Sequence, residues 1–237
     1  SVKDETYFCD VSYTISYSYN LDAWASFHSF IPDYYINNRN NYYTVKDKKV
    51  YTHNVQCLYN DYYNQTYPYI LEIPNNGKPD INSSTHTVLH WNSLAQRCDV
   101  SGNTEYLNDI TFNKLLLYNS NQTTGILDLT FTKGSYLRSE PPYPGVNVDR
   151  NERYFSINNI RDYTLDYTAP MFINNCKSCN RDINKKFNIN RINPNKYYKE
   201  LQKMRDTFMI SRFELHNTNN VKLTMDYFIT TTSKSNR

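Results

Sequence analysis

Three sets of side chains have the type and spacing to do chemistry. Trp24-Ala-Ser-Phe-His28 sets an imidazole four residues from an indole, and an extended strand would put both on one face, near enough to touch. Asp10, Asp22 and Asp33 supply three carboxylates that could line a cleft, and a pair of carboxylates a few ångström apart is the machinery of glycoside hydrolysis. Cys176-Lys-Ser-Cys179 is a lone C-x-x-C, half of a zinc site or a redox pair, with His216 able to join it only through the fold. Each has a plainer reading. A His beside a Trp in a strand packs as a surface pair, and Asp at strand ends caps and turns the chain. Cys176 and Cys179, like the isolated Cys9, Cys57 and Cys98, read as reduced, partly buried thiols of a protein assembled in a reducing cytoplasm. No G-x-S-x-G, H-E-x-x-H or Gly-rich phosphate loop occurs. The expectation is a chain that is not an enzyme, with no catalytic, cofactor-binding or metal-binding residues.

The elements that would position these residues are strands. From Cys9 to Tyr19 the chain alternates, with Cys9, Val11, Tyr13, Ile15, Tyr17 and Tyr19 set against Asp10, Ser12, Thr14, Ser16 and Ser18. A period of two puts each set on its own face of an extended chain, whereas a helix would scatter both. Asn20-Leu21-Asp22 is a tight connection and Ala23 to Phe30 a return strand, so Tyr13, Tyr17 and Tyr19 are expected to fill a β core. The chain holds 24 Tyr but only 5 Gly in 237 residues. Tyr, Thr, Ile and Phe favour strands, and Asn is expected to take most of the left-handed turn positions that Gly would otherwise fill. Pairs such as Tyr62-Tyr63 and Tyr197-Tyr198 cannot both point inward, so some tyrosines must face a partner or solvent.

The predicted fold is mainly β, built of antiparallel strands and hairpins in a propeller-blade or sandwich-like arrangement. Residues 1–138 read as one β region, whose first two hairpins have the size and rhythm of one propeller blade or one sandwich sheet. Residues 139–153, with Pro141, Pro142, Pro144 and Gly145, read as a linker loop. Residues 154–237 form a second β region. There Tyr198, Leu201 and Met204 predict one short helix over about 195–206, packed beside a terminal hairpin of Thr207 to His216 and Val221 to Thr232. Val221, Leu223, Met225, Tyr227 and Ile229 would share its buried face.

Charge narrows the partners. With 26 basic and 23 acidic residues the net charge is +3, too balanced for a protein that grips nucleic acid by its phosphates. No apolar run of about 18 residues spans a membrane and no signal-peptide pattern opens the chain. The first residue is Ser1, so the chain is expected to be part of something longer.

The run from Ser16 to Tyr35, Ser-Tyr-Ser-Tyr-Asn-Leu-Asp-Ala-Trp-Ala-Ser-Phe-His-Ser-Phe-Ile-Pro-Asp-Tyr-Tyr, resembles part of the tail muzzle proteins of crAss-like phages, also called stabilisation proteins. So do Arg39 to Thr44, Val50 to Asn54, Tyr67 to Glu72, Phe112 to Asn119 leading to Gln122 to Gly125, Phe155 to Asp162 and Met204 to Arg212. The segments are spread over most of the chain, which would make it the C-terminal part of such a protein. That family is similar to the nozzle proteins of short-tailed phages. The resemblance therefore implies a β-rich ring subunit of the virion, closing the distal tail tube, retaining packaged DNA and gating its ejection. It implies copies of itself as partners, six-fold by analogy with nozzle proteins. It also implies the rest of the muzzle chain, other tail proteins, passing viral DNA and host cell-surface contact, and it implies no cofactor. A second reading stays open, a host-surface module that binds glycans or degrades polysaccharide.

Overall fold

The computed structural model describes residues 12–28, 30–38, 41–53, 57–76, 83–99, 101–129, 137–138, 147–173, 186–192, 200–216 and 220–234. It is mainly β and antiparallel, with one of its sheets a half-barrel. Strands β1 (Thr14–Ser18) and β2 (Ala23–His28) form the opening hairpin. Strands β3 (Tyr34–Asn37), β4 (Tyr42–Lys46) and β5 (Lys49–His53) make a separate three-stranded sheet, and β6 (Asp61–Tyr62) pairs with β7 (Gln65–Thr66). The single four-stranded unit expected here, a blade or one sandwich sheet, does not form. The corner at Ile31-Pro32 ends the first pairing, and Tyr34–Asn37 starts a new sheet as a strand in its own right. The β4–β5 turn is a two-residue hairpin turn with Asp47 and Lys48 both at positive φ, which matches the strand twist. Asn60, Asn64, Asn159 and Asn220 also sit at positive φ, the largest share of any residue type among the described residues, but Asp22, Cys57, Tyr63 and Glu152 do so too, so Asn does not take most of these positions.

The larger part of the chain builds two sheets. Their strands are β8 (Tyr69–Asn76), β9 (Ser84–Cys98), β10 (Thr104–Leu107), β11 (Lys114–Tyr118), β12 (Thr123–Asp128), β13 (Leu137–Arg138), β14 (Asn147–Asn151), β15 (Tyr154–Asn158), β16 (Arg205–Asp206), β17 (Phe208–Leu215) and β18 (Val221–Lys234). One sheet runs in the order β12-β11-β17-β8. Pro74 lies inside β8, which is tolerable because β8 is an edge strand and its outer side needs no N–H donor. The other sheet is organised on β9. The long strand β18 pairs with it from Ser84 to Arg97, while β16, β15 and β10 pair with successive stretches of it.

The two sheets share one core. Leu89 and Trp91 of β9 and Phe155 and Ile157 of β15 meet Leu115 of β11 and Phe213 of β17, all almost wholly buried. The Trp91 ring stacks on Phe155 at 5.7 Å and meets Phe213 edge-on at 5.3 Å, which joins the sheets at their centre. Each such side chain contributes on the order of 2 kcal/mol of burial. Trp91 Nε1 donates to Thr111 Oγ1 at 2.9 Å, so the indole brings no unpaired donor inside.

Three expectations about the second half need correction. The terminal hairpin is absent: both edges of β17 are taken by β11 and β8, and β18 joins β9 in the other sheet. No helix is formed over the described part of 195–206. Residues 193–199 lie outside the described residues. Leu201 and Met204 are indeed buried, Leu201 in a bend and Met204 just before β16, which pairs with Ser84 and Thr85. The third concerns 139–153: Asn147–Asn151 is a strand paired with β15, and 139–146 lies outside the described residues. The described residues contain one named helical element, the 3-10 turn Ile189–Arg191.

Candidate interface and groove

The opening hairpin is where the sequence pattern and the structure part company. The alternation is real, but the buried face is the polar one. Thr14 is buried, while Tyr13, Ile15 and Tyr17 are exposed, Tyr19 is 91% exposed and Trp24 is 66% exposed. Tyr13, Tyr17 and Tyr19 therefore do not fill a core. Tyr13 meets Phe27 edge-on at 5.2 Å and Tyr17 meets Trp24 edge-on at 5.2 Å, so the face is an ordered aromatic sheet surface. Thr14 is turned inward because its hydroxyl donates to the Phe30 carbonyl at 2.6 Å and shares a hydrogen bond with the Tyr35 hydroxyl.

A β-bulge between Ser16 and Tyr17 decides the fate of the His–Trp pair. Ser16 lies opposite Ser26 but Tyr17 lies opposite Trp24, so one extra residue sits on β2. Trp24 then shares the outer face with Tyr17, and His28 shares the inner face with Thr14 and Ser16. The two do not meet. His28 Nε2 lies 3.0 Å from Ser16 Oγ and its ring rests 5.1 Å from Phe30. The carboxylates are also apart. Asp22 accepts the Tyr17 hydroxyl at the hairpin turn, whereas Asp33 accepts the Asp47 N–H at 2.9 Å and meets Lys46 at 3.6 Å. Asp10, Cys9, Cys176 and Cys179 lie outside the described residues. Cys57 and Cys98 are not free thiols: they form a disulfide that ties the segment before β6 to the end of β9. Their Cα atoms are 5.1 Å apart, and no sequence spacing announced a pairing across that distance.

Behind the hairpin lies a second aromatic cluster, centred on Phe30. Its ring stacks on Tyr62 at 4.1 Å and on His53 at 5.7 Å. Thr44 Oγ1 lies 2.6 Å from His53 Nε2 and 2.9 Å from the Tyr63 hydroxyl, which fixes two of these rings. Burial, then the neighbouring Tyr35, Tyr63 and Tyr62, pushes the Tyr42 phenol up to about 12, and burial lowers His53. Both rings are thus held neutral. Two cavities flank the cluster, one of about 740 Å³ towards β8 and one of about 560 Å³ under the hairpin. His28, Phe30 and Tyr62 line both.

The 740 Å³ cavity ends at a charged group that sequence reasoning missed. Arg212 donates to Glu72 at 2.9 Å and, through Nε and Nη2, to Glu214 Oε1 at 2.9 and 2.7 Å. Glu214 has no exposed surface, and His216 Nε2 lies 3.3 Å from its other oxygen. Burial opposes the Arg212 charge, but the bonds to Glu72 and Glu214 outweigh it and hold the guanidinium above its ordinary value. Glu72 also draws the Tyr118 hydroxyl, and burial with that carboxylate pushes the phenol up to about 12. Register alone makes this cluster, since β8 and β17 pair Glu72 with Arg212, positions 140 residues apart in the chain.

No protein-family model matches this chain, and no curated protein sequence matches it.

Proposed function

We propose that this chain is a structural, non-catalytic subunit of a short-tailed phage virion, a muzzle- or nozzle-type ring component at the distal end of the tail tube. The observation that carries the reading is the outward aromatic face of the β1–β2 hairpin. Monomers rarely leave a contiguous face of Tyr13, Tyr17, Tyr19, Trp24 and Phe27 in water, and Tyr34, Tyr35 and Ile36 continue the exposed apolar surface on β3. In a closed ring each copy would set this face against a different patch of its neighbour, burying it without leaving an open end. Near-balanced charge suits a lumen through which DNA must slide rather than stick. The sequence resemblance supplies the virion context and the six-fold count; assembly in the host cytoplasm rests on reduced thiols, and the Cys57–Cys98 disulfide removes part of that ground. The shared core between two large sheets favours the sandwich-like over the blade-like arrangement.

The test is assembly. Joined to the rest of the muzzle chain, the protein is expected to form rings in negative-stain electron microscopy and to leave capsular polysaccharide intact. Trp24→Ser with Tyr19→Ser should dissolve the rings into folded subunits. A monodisperse monomer that shortens such a polysaccharide would reject the structural reading in favour of a degrading enzyme.

A further inference from the structure

We propose that the groove behind the hairpin binds a neutral oligosaccharide. The two cavities adjoin along a wall of His28, Phe30 and Tyr62 and each has the volume of a small-molecule site. Their ring lining is tyrosine-rich: Tyr62, Tyr67 and Tyr69 on one side, Tyr35 and Tyr42 on the other. A tyrosine offers an apolar face and a hydroxyl tip on one rigid side chain. A pyranose has the matching form, with an apolar C–H face and a rim of hydroxyls.

The charged end of the groove decides the class of sugar. Lys186 and Arg212 stand there with Glu72, and Glu214 lies buried beneath Arg212. Both carboxylates pair with Arg212, and across the four groups the charge balances, so the end offers no net positive charge to draw in a phosphate chain or an acidic polysaccharide. What remains is a set of fixed donors and acceptors. Glu72 is only half-buried, and its second oxygen is available to vicinal hydroxyls, which paired charged groups bind well. The wall is also pre-set. Thr14 holds Phe30, Thr44 holds His53 and Tyr63, and Phe30 and Tyr62 are stacked, so little ordering is left for the ligand to impose. The groove and the ring face share Tyr17, Phe27 and Tyr35, but Tyr67 and Glu72 line only the groove and Tyr19 and Trp24 lie only on the ring face. The two proposals can therefore fail separately.

Isothermal titration of the full chain with maltohexaose, cellohexaose and mannohexaose, alongside hexagalacturonate, tests the assignment. At least one neutral hexasaccharide is expected to bind with a Kd below about 1 mM. Tyr67→Ser and Glu72→Gln, each confirmed as folded by circular dichroism, should weaken it by about tenfold or more. Trp24→Ser, on the opposite face, should leave it unchanged. Absence of heat with all three neutral sugars overturns the proposal. So does binding that survives both groove substitutions, or a preference for hexagalacturonate.

Discussion

Glu214 is sealed from solvent, and its charge is tolerable because Arg212 and His216 direct their nitrogens at it. Removing one member of a buried pair strands the other, so Glu214→Ala should cost about 3 kcal/mol in urea unfolding. Glu72→Ala removes the half-exposed partner of the same guanidinium and should cost far less. Equal losses would mean that the buried carboxylate is not what Arg212 depends on. His86 poses the acid-side counterpart. Both ring nitrogens are buried without a partner among the described residues, and burial lowers its pKa, against a smaller opposing pull from Asp206. Burial lowers His53 in the same way. The folded state thus favours the neutral ring more than the unfolded chain does. Above the unfolded value of about 6.5 both states are neutral and nothing is lost. Below it the unfolded chain takes up the proton first, so stability falls as pH drops. Urea midpoints should therefore decline from about pH 7 to pH 5, and His86→Gln should flatten part of that slope. An unchanged slope in the variant would place the acid sensitivity elsewhere.

At the scale of elements, β18 carries the sharpest test. The bulge between Met225 and Tyr227 takes in Asp226 and resets the alternation. Val221, Leu223 and Met225 face the core before it and Phe228 after it, while Tyr227 and Ile229 are exposed. Met225→Asp should cost about 2 kcal/mol or more by setting a carboxylate against the core, and Lys222→Asp should leave the melting temperature unchanged. If both variants melt together, the register is not as described. The bulge also marks the limit of what periodicity can reveal. Strands β1, β2, β17 and β18 are legible because apolar runs or alternation bounded by turn residues are local signals. A bulge costs one residue of phase, and nothing in Ser16-Tyr17 or Met225-Asp226 announces it. The hairpin's polarity was hidden for a different reason. Alternation says that two faces differ, but which one is covered depends on what packs there, and Thr14 is held inward by a carbonyl sixteen residues away. The groove and its Glu72–Arg212 end were equally silent, because they arise from sheet register between distant strands. The disulfide belongs with them, since Cys57 and Cys98 meet only once β9 is placed.

For the molecule as a whole, the proposed ring and the proposed groove meet at the hairpin: Tyr19 and Trp24 serve neighbouring copies, the inner face serves a ligand, and Tyr17, Phe27 and Tyr35 border both. Assembly should leave the Tyr67–Glu72 end of the groove open, and a neutral hexasaccharide should bind rings and the Trp24→Ser, Tyr19→Ser subunits alike. Loss of binding on assembly would show that neighbours cover the groove. The architecture of β9 has a further consequence, which concerns how the chain is made. Among the described residues, every strand that pairs with β9 comes after it in the sequence: β10 and β15 first, then β16, and β18 last of all. During synthesis β9 emerges with both edges bare and with Leu89 and Trp91 uncovered. One edge is completed in instalments, but the other waits for β18, whose last residues pair with the start of β9. Cooperative closure of the core is thus deferred until translation has passed Lys234. Until then the nascent chain displays a long, apolar, unpaired strand, the kind of surface that ribosome-associated chaperones exist to shield.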